Sequence, residues 1–328
     1  MIEVKNLTKR YGAHTAIDDL NFSIKEGEII GFLGPNGAGK TTTMNIITGY
    51  NAPTSGEVSI AGIDIVEEPE KAKRNIGYLP DTPPVYGDMR VIEYLNFVAD
   101  IKKVKSGRKE MLKKVMSEVN IEDQEKRLIR NLSRGYRQRV GLAQAMIGWP
   151  KVIIMDEPTI GLDPKQIIEM REVVKRLGEK HTVILSSHIM QEVSAVCHRI
   201  MIINRGKIVA HGTPEGLGSG LAQAAGGLQV IVKGEQNSVI SALGEYTSIT
   251  KKDAKAGKES GTTELLLFSE GSADIREATF RCMSKNDFPI LLMKPNELSL
   301  EEIFLSITAS DRLGINALQG GEDIEGDI

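Results

Sequence analysis

The sequence predicts an α/β protein. A buried parallel core carries an antiparallel β subdomain and a helical insert, and a small α+β domain follows at the C-terminal end. Three observations predict this. EIIGFLG (28–34), KVIIMDE (151–157) and HTVILSSH (181–188) are short, nearly continuous apolar runs, the pattern of parallel strands covered on both faces. Between the last two, PKQIIEMREVVKRLGEK opens on Pro164 and ends near Gly178, as a helix does, so the order is strand, helix, strand. Elsewhere apolar residues alternate with polar ones, the pattern of antiparallel strands with one wet face.

The elements follow in chain order. Ile2 and Val4, then Leu20, Phe22 and Ile24, then Val58 and Ile60 show period two and predict antiparallel strands. EIIGFLG predicts the first parallel strand. Residues from about 82 to 147 are mostly helical in pattern and form an insert. Two parallel strands and their helix follow. IMIINRGKIVAHG (200–212) predicts a hairpin turning at Asn204-Arg205-Gly206. The expected boundaries are a first domain over 1–215, a Gly/Ala-rich linker over 216–227, an accessory α+β domain over 228–308 and an acidic, disordered tail over 309–328. Within the accessory domain, LQVIV, SVISALGEY, TSITKK, ELLLFS, IREATFRCMSK and PILLMK give the order βαββαβ, a split ferredoxin-like unit. SLEEIFLSIT (299–308) predicts a further helix, with Ser299 and Glu302 at capping-box spacing.

Composition narrows the function. The chain has 328 residues, 26% of them charged, and a net charge of −3, so no global basic field attracts nucleic acid. KKVKSGRKEMLKK (102–114) is read as a solvated helix face in that acidic balance. Cys197 and Cys282 are the only cysteines. They make neither a disulfide framework nor a thiolate zinc site and point to a reducing cytoplasm. MIEVKNLTKRYG is no signal peptide, and no run approaches the roughly 20 apolar residues that cross a bilayer. A membrane role therefore runs through a partner.

Two motifs carry chemistry. GPNGAGKT (34–41) fits G-x-x-x-x-G-K-[ST] between a buried strand and a helical stretch. Gly34, Gly37 and Gly39 let the backbone curl, so that the N–H groups of Gly34, Pro35, Asn36, Gly37, Ala38 and Gly39, proline excepted, can face phosphate oxygens. Lys40 reaches the β- and γ-phosphates, Thr41 offers its hydroxyl to Mg²⁺, and Thr42 adds a phosphate contact. The second motif is VIIMDE. Its strand ends in two acids, and an unpaired buried carboxylate is costly. Asp156 is placed to hold Mg²⁺ and Glu157 to polarise an attacking water; the plainer reading is that both cap Pro158-Thr159.

With these motifs the chain resembles ABC-type ATPases over about residues 1–215, which implies the P-loop NTPase fold of that family, with ATP and Mg²⁺ and no covalent cofactor. The resemblance implies that Tyr11 stacks on adenine, that LSRGY (132–136) is the signature loop with Ser133 and Gly135 facing a second chain's ATP, that Gly161-Leu162-Asp163 crosses a dimer seam, and that His188 senses γ-phosphate. Each residue has a plainer role open to it: Tyr11 as edge cover, Asp163 as a helix cap, His188 as a locally bonded strand end. The chain departs from the family at two places. Asp81 stands where a glutamine is usual, with a metal contact or only a water-mediated one open to it. Arg134 replaces a glycine, and either adds charge to the site or points to solvent.

IGYLPDTPPVYGDMRVIEYL, RGYRQRVGLAQA and the ending SLEEIFLSIT are similar to single-cassette exporter ATPases of the ABC-2 type, those linked to gliding motility above all. That likeness implies a homodimer formed through ATP, catalysis by Glu157, His188 and Lys40, docking on integral membrane permease subunits through the insert (82–130), and a place on the cytoplasmic, inner face of the cell membrane. Nucleic acid is not an expected partner. Two other classes are open to such a chain: a non-transport ATPase acting on nucleic acid or ribosomes, and a nucleotide-gated regulatory protein. No sustained heptads and only one cassette are present, and Glu157 and Lys40 are intact.

Overall fold

The computed structural model describes residues 1–217, 227–244, 251–269 and 274–295. Two compact units divide at Leu217 and Gly218. Most of the linker and the start of TSITKK lie outside the described residues, as do the helix expected at 299–308 and the tail.

In the first unit, β1 (Ile2–Tyr11), β2 (His14–Ile24), β4 (Ser55–Ile60) and β5 (Ile63–Asp64) form an antiparallel sheet in the order β2-β1-β4-β5. The six-stranded sheet runs β10-β9-β3-β8-β7-β6, with β3 (Ile29–Leu33), β6 (Ile76–Leu79), β7 (Val152–Asp156), β8 (Thr182–Ser187), β9 (Arg199–Asn204) and β10 (Lys207–Gly212). Every pair except β9–β10 is parallel. Each residue of β3, β7 and β8 is buried, which is why their sequences carry no alternation. Gly31 lies mid-strand because the helix α7 (Met190–Ser194) presses Val193 onto it, leaving no room for a Cβ.

Helix α1 (Lys40–Ile47) follows β3, and α2 (Pro69–Arg74) precedes β6. The insert contributes α3 (Val91–Ile101), α4 (Arg108–Glu118) and α5 (Arg134–Met146), and α6 (Pro164–Gly178) links β7 to β8. One apolar core joins the two sheets, from Ile2 and Leu20 through Phe32, Met44 and Ile47 to Ile154 and Ile184. Its edge-to-face pair is Phe22 against Phe32, with centroids 5.2 Å apart.

In the second unit, β11 (Gly227–Lys233), α8 (Gln236–Leu243), β12 (Lys251–Ala256), β13 (Thr262–Phe268), α9 (Arg276–Lys285) and β14 (Ile290–Pro295) give an antiparallel sheet in the order β12-β13-β11-β14. This is the βαββαβ order read from the sequence. Of the strand expected at 247–252, residues 247–250 lie outside the described residues, and Lys251 and Lys252 belong to β12, paired with β13 from Lys251↔Phe268 to Ala256↔Thr263. KKDAKA holds no large apolar residue, so its sequence signals a strand only weakly.

Candidate active site

Strand register assembles the site. Leu33 pairs with Ser187 across β3 and β8, and Asp156 with Ser186 across β7 and β8. The loops after three parallel strands, which begin at Gly34, Glu157 and His188, therefore leave the sheet at one edge, where α/β folds place ligands.

The first loop curls through Gly37 and Gly39, at φ of 80° and 109°. A Cβ on Gly39 would come 2.8 Å from the Ala16 carbonyl oxygen. The loop is backed by the β9–β10 turn, whose Gly206 N–H donates to Ala38 O (2.8 Å) while Gly206 O accepts from Asp18 N–H (2.9 Å). Arg205 and Gly206 both have positive φ, the signature of a two-residue type I′ hairpin. Asn36 and Gly37 are exposed, Pro35 is half-buried and Ala38 is buried. Thr41 is exposed and Thr42 half-buried on the first turn of α1, where free N–H groups and the helix dipole favour anions. Lys40, only 5% exposed, opens that helix. Its Nζ donates to Gly34 O (2.7 Å) and Pro35 O (3.3 Å) and faces Glu157 Oε1 at 3.4 Å.

Asp156 is 2% exposed and accepts from the Ser186 hydroxyl. Glu157 is a non-glycine residue at φ 47°, a conformation that costs on the order of 1–2 kcal/mol. Its N–H is held by Ser186 O (3.2 Å) and Ser186 Oγ (3.1 Å). Its carboxylate spans Lys40 through Oε1 and His188 through Oε2, where the imidazole Nδ1–H donates over 2.8 Å. The structure thus brings Lys40, Glu157 and His188 into one contact chain, with Asp156 beside it through Ser186.

Asp81 lies near Tyr78. Burial, and then Asp156 and Asp81, push the Tyr78 hydroxyl well above the usual phenol range, and that hydroxyl donates to Asn45 Oδ1 at 3.4 Å. Asp81 also lines a cleft of about 220 Å³ with Thr82, Pro83, Arg134, Arg137 and Gln138.

The signature loop is built separately. Ser133 caps α5 by accepting from Tyr136 N–H (3.3 Å). Gly135 is buried, and a Cβ there would meet the Gln166 side chain at 2.7 Å. Asp163 caps α6 by accepting from Gln166 N–H (2.9 Å). The Arg134 guanidinium lies against Gly161, so close that a Cβ on that glycine would stand 2.7 Å from it. Arg139 is paired with Glu169. These contacts run to α6 and its preceding loop, whereas the phosphate loop is held by β2, β7 and the β9–β10 turn. Tyr11 ends β1 at 48% exposure, its hydroxyl accepting from Asn51 Nδ2 (3.2 Å) and its ring lying under Lys9 Nζ (5.1 Å).

Sequence reasoning missed four residues that shape the site: Gly206 behind the phosphate loop, Ser186 under both acids, Tyr78 beside Asp156, and the buried Glu192, which joins Thr159 to Ser187. For Gly206 the hairpin motif was the available signal. The others have none, because their partners are set by strand register.

Known proteins resemble this chain in sequence and fold. The family model described as ABC transporter matches residues 17–160. The uncharacterized ABC transporter ATP-binding protein YhcH of Bacillus subtilis is 42% identical over 64% of this chain and 68% of its own length. The linearmycin resistance ATP-binding protein LnrL of the same species is 32% identical over 94% of this chain and 98% of its own. Among solved structures, the dimeric bacterial ABC transporter cassette MJ0796 superposes with a TM-score of 0.60 at 29% identity, covering 65% of this chain and 98% of that one. Its dimeric post-hydrolysis state bound to ADP and Pi superposes with a TM-score of 0.59 at 28% identity, covering 65% of this chain and 98% of that one.

Proposed function

The chain belongs to the ATP-binding proteins of ABC transporters and is an ATPase, and from that premise we propose that it powers an ABC-2 type exporter through ATP-driven pairing of two copies docked on separate membrane permease subunits. The observation that carries this reading is the Lys40–Glu157–His188 chain at the mouth of the phosphate loop. Each ATP is read as held by the phosphate loop of one copy and by Ser133 and Gly135 of the other. That fits a signature loop whose Gly135 packs on Gln166 of α6 and whose Arg134 packs on Gly161 just before it. It also fits the dimeric cassettes among the structural neighbours.

In the hydrolytic step, an incoming γ-phosphate replaces Glu157 as the partner of Lys40. Glu157, released on that side, accepts a hydrogen bond from the attacking water and orients it. His188, beside Glu157 at the same site, directs a ring N–H at the phosphoryl oxygens. Both Ser186 contacts fix Glu157 in its left-handed conformation, so the backbone that carries the carboxylate is already set. Tyr11 offers an exposed ring to adenine.

Asp156 and the Thr41 hydroxyl are hard oxygen donors, and Asp156 has the Ser186 hydroxyl as its hydrogen-bond partner among the described residues. They fit Mg²⁺, which takes one or two carboxylates and completes its shell with phosphate oxygens and water. Bound there, the ion would neutralise charge on the β- and γ-phosphates. No helix among the described residues is long and apolar enough to cross a membrane, so the permease subunits supply the spans, and this chain works from the inner face of the cell membrane. The test is Glu157→Gln. ATP binding should persist while phosphate release falls by roughly 10²–10⁴-fold. Full turnover in that variant would sink the assignment.

A further inference from the structure

We propose that Glu192 is a positioning residue for hydrolysis, tying the loop that carries Glu157 to the loop that carries His188; the inference rests on the reading of those two residues given above. Glu192 sits on the short helix α7 at 4% exposure. Its Oε2 accepts from two hydroxyls of different loops. One is Thr159, two residues past Glu157; the other is Ser187, at 3.1 Å, immediately before His188. Ser187 Oγ in turn accepts from Ile189 N–H at 3.0 Å, so both sides of His188 are fixed to the same hydroxyl.

A buried carboxylate is costly unless hydrogen bonds compensate it. No salt bridge engages Glu192 among the described residues, and two charge-assisted hydroxyl bonds hold it. An apolar side chain would fill this space at lower cost. What Glu192 adds is a single oxygen that accepts from both loops at once. The consequence lies one step away: Glu157 Oε2 and His188 Nδ1 meet at 2.8 Å, and each belongs to one of the two loops that Glu192 joins. Loosening the tie lets the water-orienting carboxylate and the γ-phosphate sensor drift apart, whereas the brace from Gly206 of the β9–β10 turn to Ala38 of the phosphate loop stays in place.

The experiment compares wild type, Glu192→Gln, Glu192→Ala and Thr159→Val by steady-state phosphate release and by equilibrium binding of a fluorescent ATP analogue. Thr159→Val keeps the shape and removes one donor, so it stands in where Glu192→Ala fails to fold. The expected result is a fall in kcat of roughly tenfold or more for Thr159→Val and Glu192→Ala, and less for Glu192→Gln, which retains one acceptor oxygen. ATP affinity stays within about twofold of wild type. In the Thr159→Val, Glu192→Ala double variant the losses do not add, because one contact is removed in both. Unchanged kcat in Thr159→Val and Glu192→Ala, or parallel losses of affinity and kcat, overturns the positioning role. A wild-type chain without ATP turnover would instead overturn the functional reading beneath it.

Discussion

At the scale of single residues, Arg134 is the sharpest departure from the family pattern, and the structure gives it a partner. Its guanidinium is folded against Gly161 of the same chain, so it is not a free charge waiting for phosphate. Arg134→Gly should therefore leave ATP affinity within about twofold of wild type, the range of a surface substitution. A tenfold weaker nucleotide, measured by equilibrium titration, would return the arginine to the phosphate site. His181 makes a different prediction. Its Nδ1–H donates to Pro150 O at 2.7 Å, its ring stacks on Trp149, and its Nε2 is buried without a partner among the described residues. Burial holds its pKa below the usual 6.5. The unfolded chain thus takes up a proton near that pH which the folded chain refuses. His181 takes nothing from stability above about pH 6.5 and lowers it as pH drops below, by at most about 1.4 kcal/mol per pH unit. Thermal melts of wild type and His181→Phe at pH 7.5 and 5.5 should show the smaller acid loss in the variant.

At the scale of elements, the hairpin β9–β10 decides how firmly the phosphate loop is held. Gly206 has φ 79°, and a Cβ there would come 2.7 Å from Ala16 O. Its N–H and carbonyl also bind Ala38 and Asp18. Gly206→Ala should cost about 1–3 kcal/mol of stability and weaken ATP binding with it. An unchanged melting temperature with unchanged ATP affinity contradicts the bracing role. This is also where sequence and structure part. EIIGFLG and VIIMDE announce their strands because both faces are buried, and GPNGAGKT announces its loop because its glycines have few other uses. Ser186, Tyr78 and Glu192 announce nothing. Each is defined by which strand lies beside it, and the order β3-β8-β7-β6 is a long-range property that no local pattern encodes. Asp81 was legible as a departure from the family, but not as a lining residue of the Arg134 cleft.

At the scale of the whole molecule, the first unit holds one half of the proposed site, the phosphate loop with Glu157 and His188, and carries on another part of its surface the signature loop that would complete a second copy. Such a chain should be a poor ATPase at dilution and gain specific activity with concentration, because pairing is bimolecular. Association with a membrane component is the second expectation at this scale: a tagged chain should recover a multi-span membrane protein from detergent extracts, and recovery with ribosomes or DNA instead would reject the transport role. The most direct measurement of the central claim is light scattering of Glu157→Gln with and without ATP and Mg²⁺. A monomer that becomes a dimer when ATP is added, and returns to monomer with Lys40→Ala introduced, is the predicted result; a monomer at saturating ATP would contradict it.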